Sequence, residues 1–151
     1  MNNSLISCIA GVGAAFAIGV LTHMEASITE VALVMAPFGA TTVLVFGLPN
    51  SPLAQPKNVV LGHLITALIG VIFTQWIGVT PLTLAIATGL GVSMMLLTKT
   101  THPPAGANPI LIMLSGQSWW FLIFPVLSGA LIIVAVGKLF QLLQGRLLNR
   151  P

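Results

Sequence analysis

Carboxylates are nearly absent from these 151 residues: Glu25 and Glu30 are the only acids, and tyrosine does not occur. A buried acid–base pair and a nucleophilic triad with its acid therefore lack the groups they need, so no enzyme is expected and no catalytic residue is assigned. Cys8 stands alone, which excludes an intrachain disulfide and any multi-cysteine metal or iron–sulfur site. A metal centre built from His23, His63 and His102 would need an outer connection, a helix and an inner connection to converge, so neither metal nor cofactor is expected. Charge of either sign is scarce, at 5% of residues, where a soluble domain carries roughly 25%.

Apolar residues fill the space, at 56% of the chain with a mean hydropathy of +1.06. A helix needs about 20 apolar residues to cross the hydrocarbon core. The chain therefore reads as an all-α polytopic membrane protein with about six membrane segments. Met1-Asn2-Asn3-Ser4 lacks a positive n-region, and no cleavage site precedes Glu25, so the first segment is expected to stay in place. The pI near 9.8 comes from a few Lys and Arg in connections, an orientation signal rather than a nucleic-acid surface.

Apolar segments fall at residues 5–22, 31–48, 58–78, 81–98, 104–115 and 119–142. The second is interrupted by Pro37-Phe38-Gly39, and the fifth is too short to span alone. Both read as broken or half-length helices. They also resemble each other: Pro37-Phe38-Gly39-Ala40-Thr41-Thr42 aligns without gaps on Pro104-Ala105-Gly106-Ala107-Asn108-Pro109, and four apolar residues follow in each. Each lies between two longer apolar segments, which suggests two three-segment repeats, residues 1–78 and 79–151.

If all six segments cross from a cytoplasmic N-terminus, Lys57, Lys99, Arg146 and Arg150 share the cytoplasmic side while Glu25 and Glu30 lie outside, the positive-inside pattern. Three crossings per repeat then invert one repeat against the other. If the short segments re-enter instead, Lys57 and Lys99 fall on opposite sides. Small residues at four-residue spacing mark packing stripes: Gly11, Ala15 and Gly19; Gly62, Thr66 and Gly70; Ala87 and Gly91; Gly129 and Gly137. Lys138 can snorkel to the inner interface, and Trp76, Trp119 and Trp120 suit the outer one.

The interruptions hold the candidate chemistry. A helix start inside a membrane presents N–H groups that lack intrahelical acceptors and attract an anion. Gly39, Ala40, Gly106 and Ala107 would let backbone approach such a ligand, and Thr41, Thr42 and Asn108 would add neutral donors. His63 lies among apolar residues of segment three, where an ionisable group is a functional hypothesis by default, and His102 opens the second interruption. Both are candidates for proton coupling or gating.

His102-Pro103-Pro104-Ala105-Gly106-Ala107-Asn108-Pro109 resembles the His-Pro-Pro signature of the HPP family of integral membrane proteins. The stretch from Ala36-Pro37-Phe38-Gly39-Ala40-Thr41 through Ser51-Pro52-Leu53-Ala54-Gln55-Pro56-Lys57-Asn58-Val59 to Gly62-His63 is similar to that family's other well-marked region. Cyanobacterial and chloroplast members that the chain resembles are nitrite transporters, which implies transport of a small anion. Together these readings predict a carrier of a small monovalent anion, nitrite first, held near the midplane by the two helix starts. It is expected in a bacterial inner membrane with both termini cytoplasmic, as a homo-oligomer in the lipid bilayer. A non-transporting membrane scaffold or sensor subunit is the competing reading.

Overall fold

The computed structural model describes residues 3–27 and 33–148; Glu30, Arg150 and the side chain of Arg146 lie outside the described residues. All regular structure among the described residues is helical: α1 (Asn3–Ser27), α2 (Ala36–Thr42), α3 (Pro56–Ile72), α4 (Pro81–Leu97), α5 (Asn108–Ser115) and α6 (Ser128–Leu148). π turns extend α2 (Val43–Gly47) and α3 (Phe73–Ile77). A 3-10 turn (Pro103–Ala107) leads into α5, and two short turns (Trp119–Leu122 and Ile123–Leu127) lead into α6. Leu5–Ser27, Pro56–Ile77 and Trp119–Gln144 are long and apolar enough to cross a membrane, while Ala36–Gly47 and Pro81–Leu97 are shorter apolar helices. The protein is an all-α integral membrane protein.

Prolines fix the helix starts. Pro56 and Pro81 open α3 and α4, and Pro37 and Pro109 stand second in α2 and α5, positions where the missing N–H would have had no intrahelical partner. Thr80 and Thr83 cap each other reciprocally ahead of α4. This changes the reading of segment two. Pro37-Phe38-Gly39 does not divide a helix; Met35 is extended, and α2 begins at Ala36 and runs through Gly39. The true interruption lies in segment six, where Phe124 is extended (φ −126°, ψ 115°) just before α6.

Contacts give the direction of each pass. Asn108 meets His63 and Thr66 in the middle of α3, while Gln117 O accepts from Gln75 Nε2 (3.1 Å) and Trp119 lies beside Trp76 in the turn beyond its end, so α5 runs parallel to α3. Phe38 abuts Gly129, Val45 abuts Gly137 and Phe46 stacks edge-on against Phe140, so α2 runs parallel to α6. Gly13 faces Phe46 and Phe140 while Glu25, near the end of α1, binds Leu33 and Val34 just before α2, so α1 runs antiparallel to α2 and α6. The chain thus passes six times between two ends. One end carries the start of α1, Lys57, Lys99 and the end of α6; the other carries Glu25, Gly78 and Gln117.

Two groups of helices result. α1 and α2 pack on α6, while α4 and α5 pack on α3. The groups meet where α3 lies against α6 and where α2 lies against the turn before α5. Backbone approach at glycine makes this packing possible. A Cβ on Gly62 would stand 2.9 Å from both His102 Cβ and the Thr100 carbonyl, and one on Gly70 3.0 Å from Pro109 Cα.

The expected stripe of α1 is corrected. Gly11, Ala15 and Gly19 are exposed, and the packed face is Gly13, Ala17 and Leu21. The stripes on α3, α4 and α6 are buried as expected. Glu25 sits within α1 rather than in a connection, and its Oε2 accepts the N–H groups of Leu33 (3.0 Å) and Val34 (2.9 Å).

Several close contacts recur at an interval of 67 residues, the separation of Pro37 and Pro104. Gly62 meets the Thr100 carbonyl and Gly129 the Leu33 carbonyl; Gly70 meets Ile112 and Gly137 meets Val45. In each pair both partners are displaced by that interval, one upward and one downward. Met113 and Phe73, at the positions equivalent to Phe46 and Phe140, share one buried apolar cluster.

Candidate functional site

His63 follows Pro56 by seven residues, so it lies about 10 Å into α3, and Thr66, one turn further on the same face, lies about 15 Å in. Both are fully buried, as are Thr41, His102 and Asn108. These five side chains form one hydrogen-bonded cluster in an otherwise apolar bundle. It spans the seam between the helix groups, because Thr41 comes from α2 and the other four from α3, the His102 connection and α5.

Thr41 Oγ1 lies 2.8 Å from His63 Nε2 and 3.0 Å from His102 Nε2. On its far edge His102 Nδ1 faces the Leu53 carbonyl at 2.8 Å. A carbonyl only accepts, so His102 Nδ1 carries the proton and Nε2 offers a lone pair. Asn108 Nδ2 lies 3.0 Å from His63 Nδ1, from the His63 carbonyl and from Thr66 Oγ1. The carbonyl fixes that end of the amide as the NH2. Thr66 spends its own proton on the Gly62 carbonyl (2.8 Å). His63 Nδ1 is therefore an acceptor, and His63 Nε2–H donates to Thr41 Oγ1. With both rings neutral, the Thr41 hydroxyl donates to His102 Nε2 in a continuous chain, and the Pro37 carbonyl at 3.1 Å is its other acceptor.

Two ring contacts hold this geometry. Phe38 meets the His63 ring edge-on, with centroids 5.3 Å apart, and the two imidazoles meet at 5.0 Å. Asn108 Oδ1 is buried and has no partner among the described residues, a placement that costs about 1–3 kcal/mol when no donor arrives.

Of the nine residues singled out from sequence, Thr41, His63, His102 and Asn108 are brought together. Thr42 is buried, but its hydroxyl donates to the Gly39 carbonyl (2.8 Å). Gly39, Ala40 and Ala107 are exposed, Gly106 is half-buried, and a Cβ on either glycine would meet nothing within 4 Å. The helix starts do face each other, across a hollow of about 420 Å³ lined by Ala36, Pro37, Ala40, Pro104, Ala107, Ile110 and Leu111. That lining is apolar. Near each start an N–H group already has an acceptor, Phe38 N–H donating to the Met35 carbonyl and Ala105 N–H to the His102 carbonyl. The buried polar side chains gather beside this hollow, in the seam cluster.

Residues 2–148 match the transmembrane region of the HPP family. The chain belongs to that family. This HPP chain is similar to two transmembrane proteins of Dictyostelium discoideum. One is 31% identical over 125 residues, covering 78% of this chain and 44% of the relative; the other is 36% identical over 120 residues, covering 74% and 39%. The chain thus spans about two-fifths of the length of these curated relatives. No solved structure matches it.

In this HPP chain the cluster carries no fixed charge. Lys57 and Lys99 are exposed, and Glu25 lies at the opposite end of the bundle. Burial pushes His102 below the ordinary histidine value, opposed in part by the Leu53 carbonyl. Two members escaped the sequence reading. Thr66 was visible only as part of a packing stripe, although its three-residue spacing from His63 puts it on the same face. The Leu53 carbonyl had no signal, because it acts through backbone.

Proposed function

We propose that this HPP protein transports a small monovalent anion, nitrite being the first candidate, along the seam between its two helix groups. The observation that carries this reading is the five-membered polar cluster, buried at the seam and free of carboxylates. Intramembrane ionisable residues mark solute pathways by default. Imidazole N–H and hydroxyl donors without a carboxylate favour an anion over a cation. Their neutrality keeps binding weak enough for release.

Thr41 Oγ1 stands where an anion oxygen would sit, accepting from His63 Nε2–H. Withdrawal of α2 from α3 would vacate that position and bare the donor. On this reading the observed packing is a closed state in which Thr41 substitutes for cargo. We further infer two inverted three-segment repeats, residues 1–78 and 79–151, supported by the alternating passes and by the contacts that recur at 67 residues. The first two helices of each repeat pack on the third helix of the other, an arrangement suited to rocking of one group against the other. We place the protein in a bacterial inner membrane with both termini cytoplasmic, since Lys57 and Lys99 share the end that holds them, and expect a homo-oligomer.

The test is uptake into proteoliposomes holding the purified protein, with nitrite, formate, chloride, sulfate and ammonium as competitors. Saturable nitrite uptake blocked by monovalent anions alone supports the reading. Inhibition by ammonium only, or uptake no greater than in empty liposomes, would overturn it.

A further inference from the structure

The cluster has room for one more proton, and only at one atom. In the neutral arrangement the Thr41 hydroxyl donates to His102 Nε2. The same hydroxyl also lies 3.1 Å from the Pro37 carbonyl, one turn back in α2. If His102 Nε2 is protonated, the Thr41 hydrogen can turn to Pro37 while Oγ1 accepts from both imidazoles through its two lone pairs. Every bond of the cluster then survives. His102 Nδ1–H still donates to Leu53, and His63 Nε2–H still donates to Thr41.

A second proton finds no such place. It would have to sit on His63 Nδ1, which faces the Asn108 NH2. Flipping that amide would turn its oxygen toward the His63 carbonyl at 3.0 Å, exchanging one clash for another.

We propose that the seam binds a single exchangeable proton, on His102 Nε2, and that the Thr41 hydroxyl turns from His102 to the Pro37 carbonyl as it arrives. The groups that face His102 are Thr41 from α2, the Leu53 carbonyl from the connection before α3, and Gly62 and His63 from α3. His63 alone among them is titratable. The neighbouring lysines, Lys57 and Lys99, are exposed. The turn at Thr41 links proton arrival to the seam, because this hydroxyl is the member of the cluster that α2 contributes. The proton site deepens the transport reading above: a proton and a monovalent anion carried together make an electroneutral step that does not work against the membrane potential.

Nitrogen-15 NMR of the histidine-labelled, bilayer-reconstituted full chain tests the site, with His102→Gln and His63→Gln assigning the resonances. Near neutral pH the expected tautomers are Nδ1–H for His102 and Nε2–H for His63. On acidification below the ordinary histidine value, His102 and not His63 should become imidazolium. Thr41→Val should shift that conversion at least about one pH unit further to acid, and Thr41→Ser should restore it. Conversion of His63 first, of both rings together, or of neither would overturn the proposal. So would a Thr41→Val chain that titrates like wild type. The titration is read without any anion, so a chain that shows it but carries no nitrite would contradict transport and leave the proton site standing.

Discussion

Thr41 and Asn108, 67 residues apart, meet opposite nitrogens of one imidazole: Thr41 Oγ1 lies 2.8 Å from His63 Nε2, and Asn108 Nδ2 lies 3.0 Å from His63 Nδ1. They occupy equivalent positions in the two Pro-x-Gly-Ala segments. His63 is thus clamped by corresponding residues of the two halves of the chain, one a hydroxyl accepting from the ring and the other an amide donating to it. Removing either leaves a ring nitrogen without its partner in an apolar surrounding.

Asn108→Ala should lower thermal stability in detergent, because it strips a donor from His63 and from Thr66 at once. Each buried group left unpaired costs about 1–3 kcal/mol. Part of that loss is offset by removal of the unpartnered Asn108 Oδ1. A melting temperature within error of wild type would show that the clamp contributes no stability.

Close packing separates the glycines into two classes. Gly62→Ala drives a methyl against backbone at Thr100 and against His102 Cβ, neither of which can swing away, and overpacking of this kind costs about 1–3 kcal/mol. Gly19→Ala and Gly39→Ala meet open space and should stay within about 0.5 kcal/mol of wild type. Denaturation profiles of the three variants check the contrast.

The His102 ring supplies a pH dependence with a definite sign. Burial lowers its proton affinity in the folded chain, so the unfolded chain binds more protons and stability rises with pH. The contribution is fully present above the unfolded value, about 6.5, and is lost as pH falls below it. Melting temperatures taken from pH 8 to pH 5 should decline toward acid, and His102→Gln should flatten that part of the decline. An equal slope in wild type and variant would remove His102 from the explanation.

Glu25 closes the opposite end of the bundle. Its Oε2 holds two backbone N–H groups on the approach to α2, so Glu25→Ala should cost about 1–3 kcal/mol, and Glu25→Gln, which keeps one acceptor oxygen, should cost less. Equal melting temperatures for the two variants would contradict this.

What was legible in the sequence follows from how locally each feature is encoded. Apolar runs mark helices, and prolines mark their starts, so the order of six helical segments could be read directly. The gapless match between the two Pro-x-Gly-Ala segments carried further than its ten residues, because glycines outside it, Gly62 with Gly129 and Gly70 with Gly137, make matching contacts at the same interval. His63 and His102 were visible as ionisable groups in apolar surroundings. Their meeting through Thr41 was not, since it depends on how α2 docks against the turn before α5. The acceptors near the helix starts were not legible for a related reason: a proline near a helix start leaves N–H groups that nearby carbonyls can satisfy, as the Met35 and His102 carbonyls do. The exposed stripe Gly11-Ala15-Gly19 shows that a small-residue pattern fixes a face without saying whether a partner covers it.

The most direct test of the seam as the route compares nitrite uptake by three forms of the protein in the same liposomes: wild type, His63→Phe and Gly106→Ala. Because His63 lies in the cluster and Gly106 faces open space, His63→Phe should lose at least about nine-tenths of the uptake rate while Gly106→Ala retains it. Uptake that survives His63→Phe, or that fails in Gly106→Ala with the protein still inserted and folded, would contradict a route through the seam.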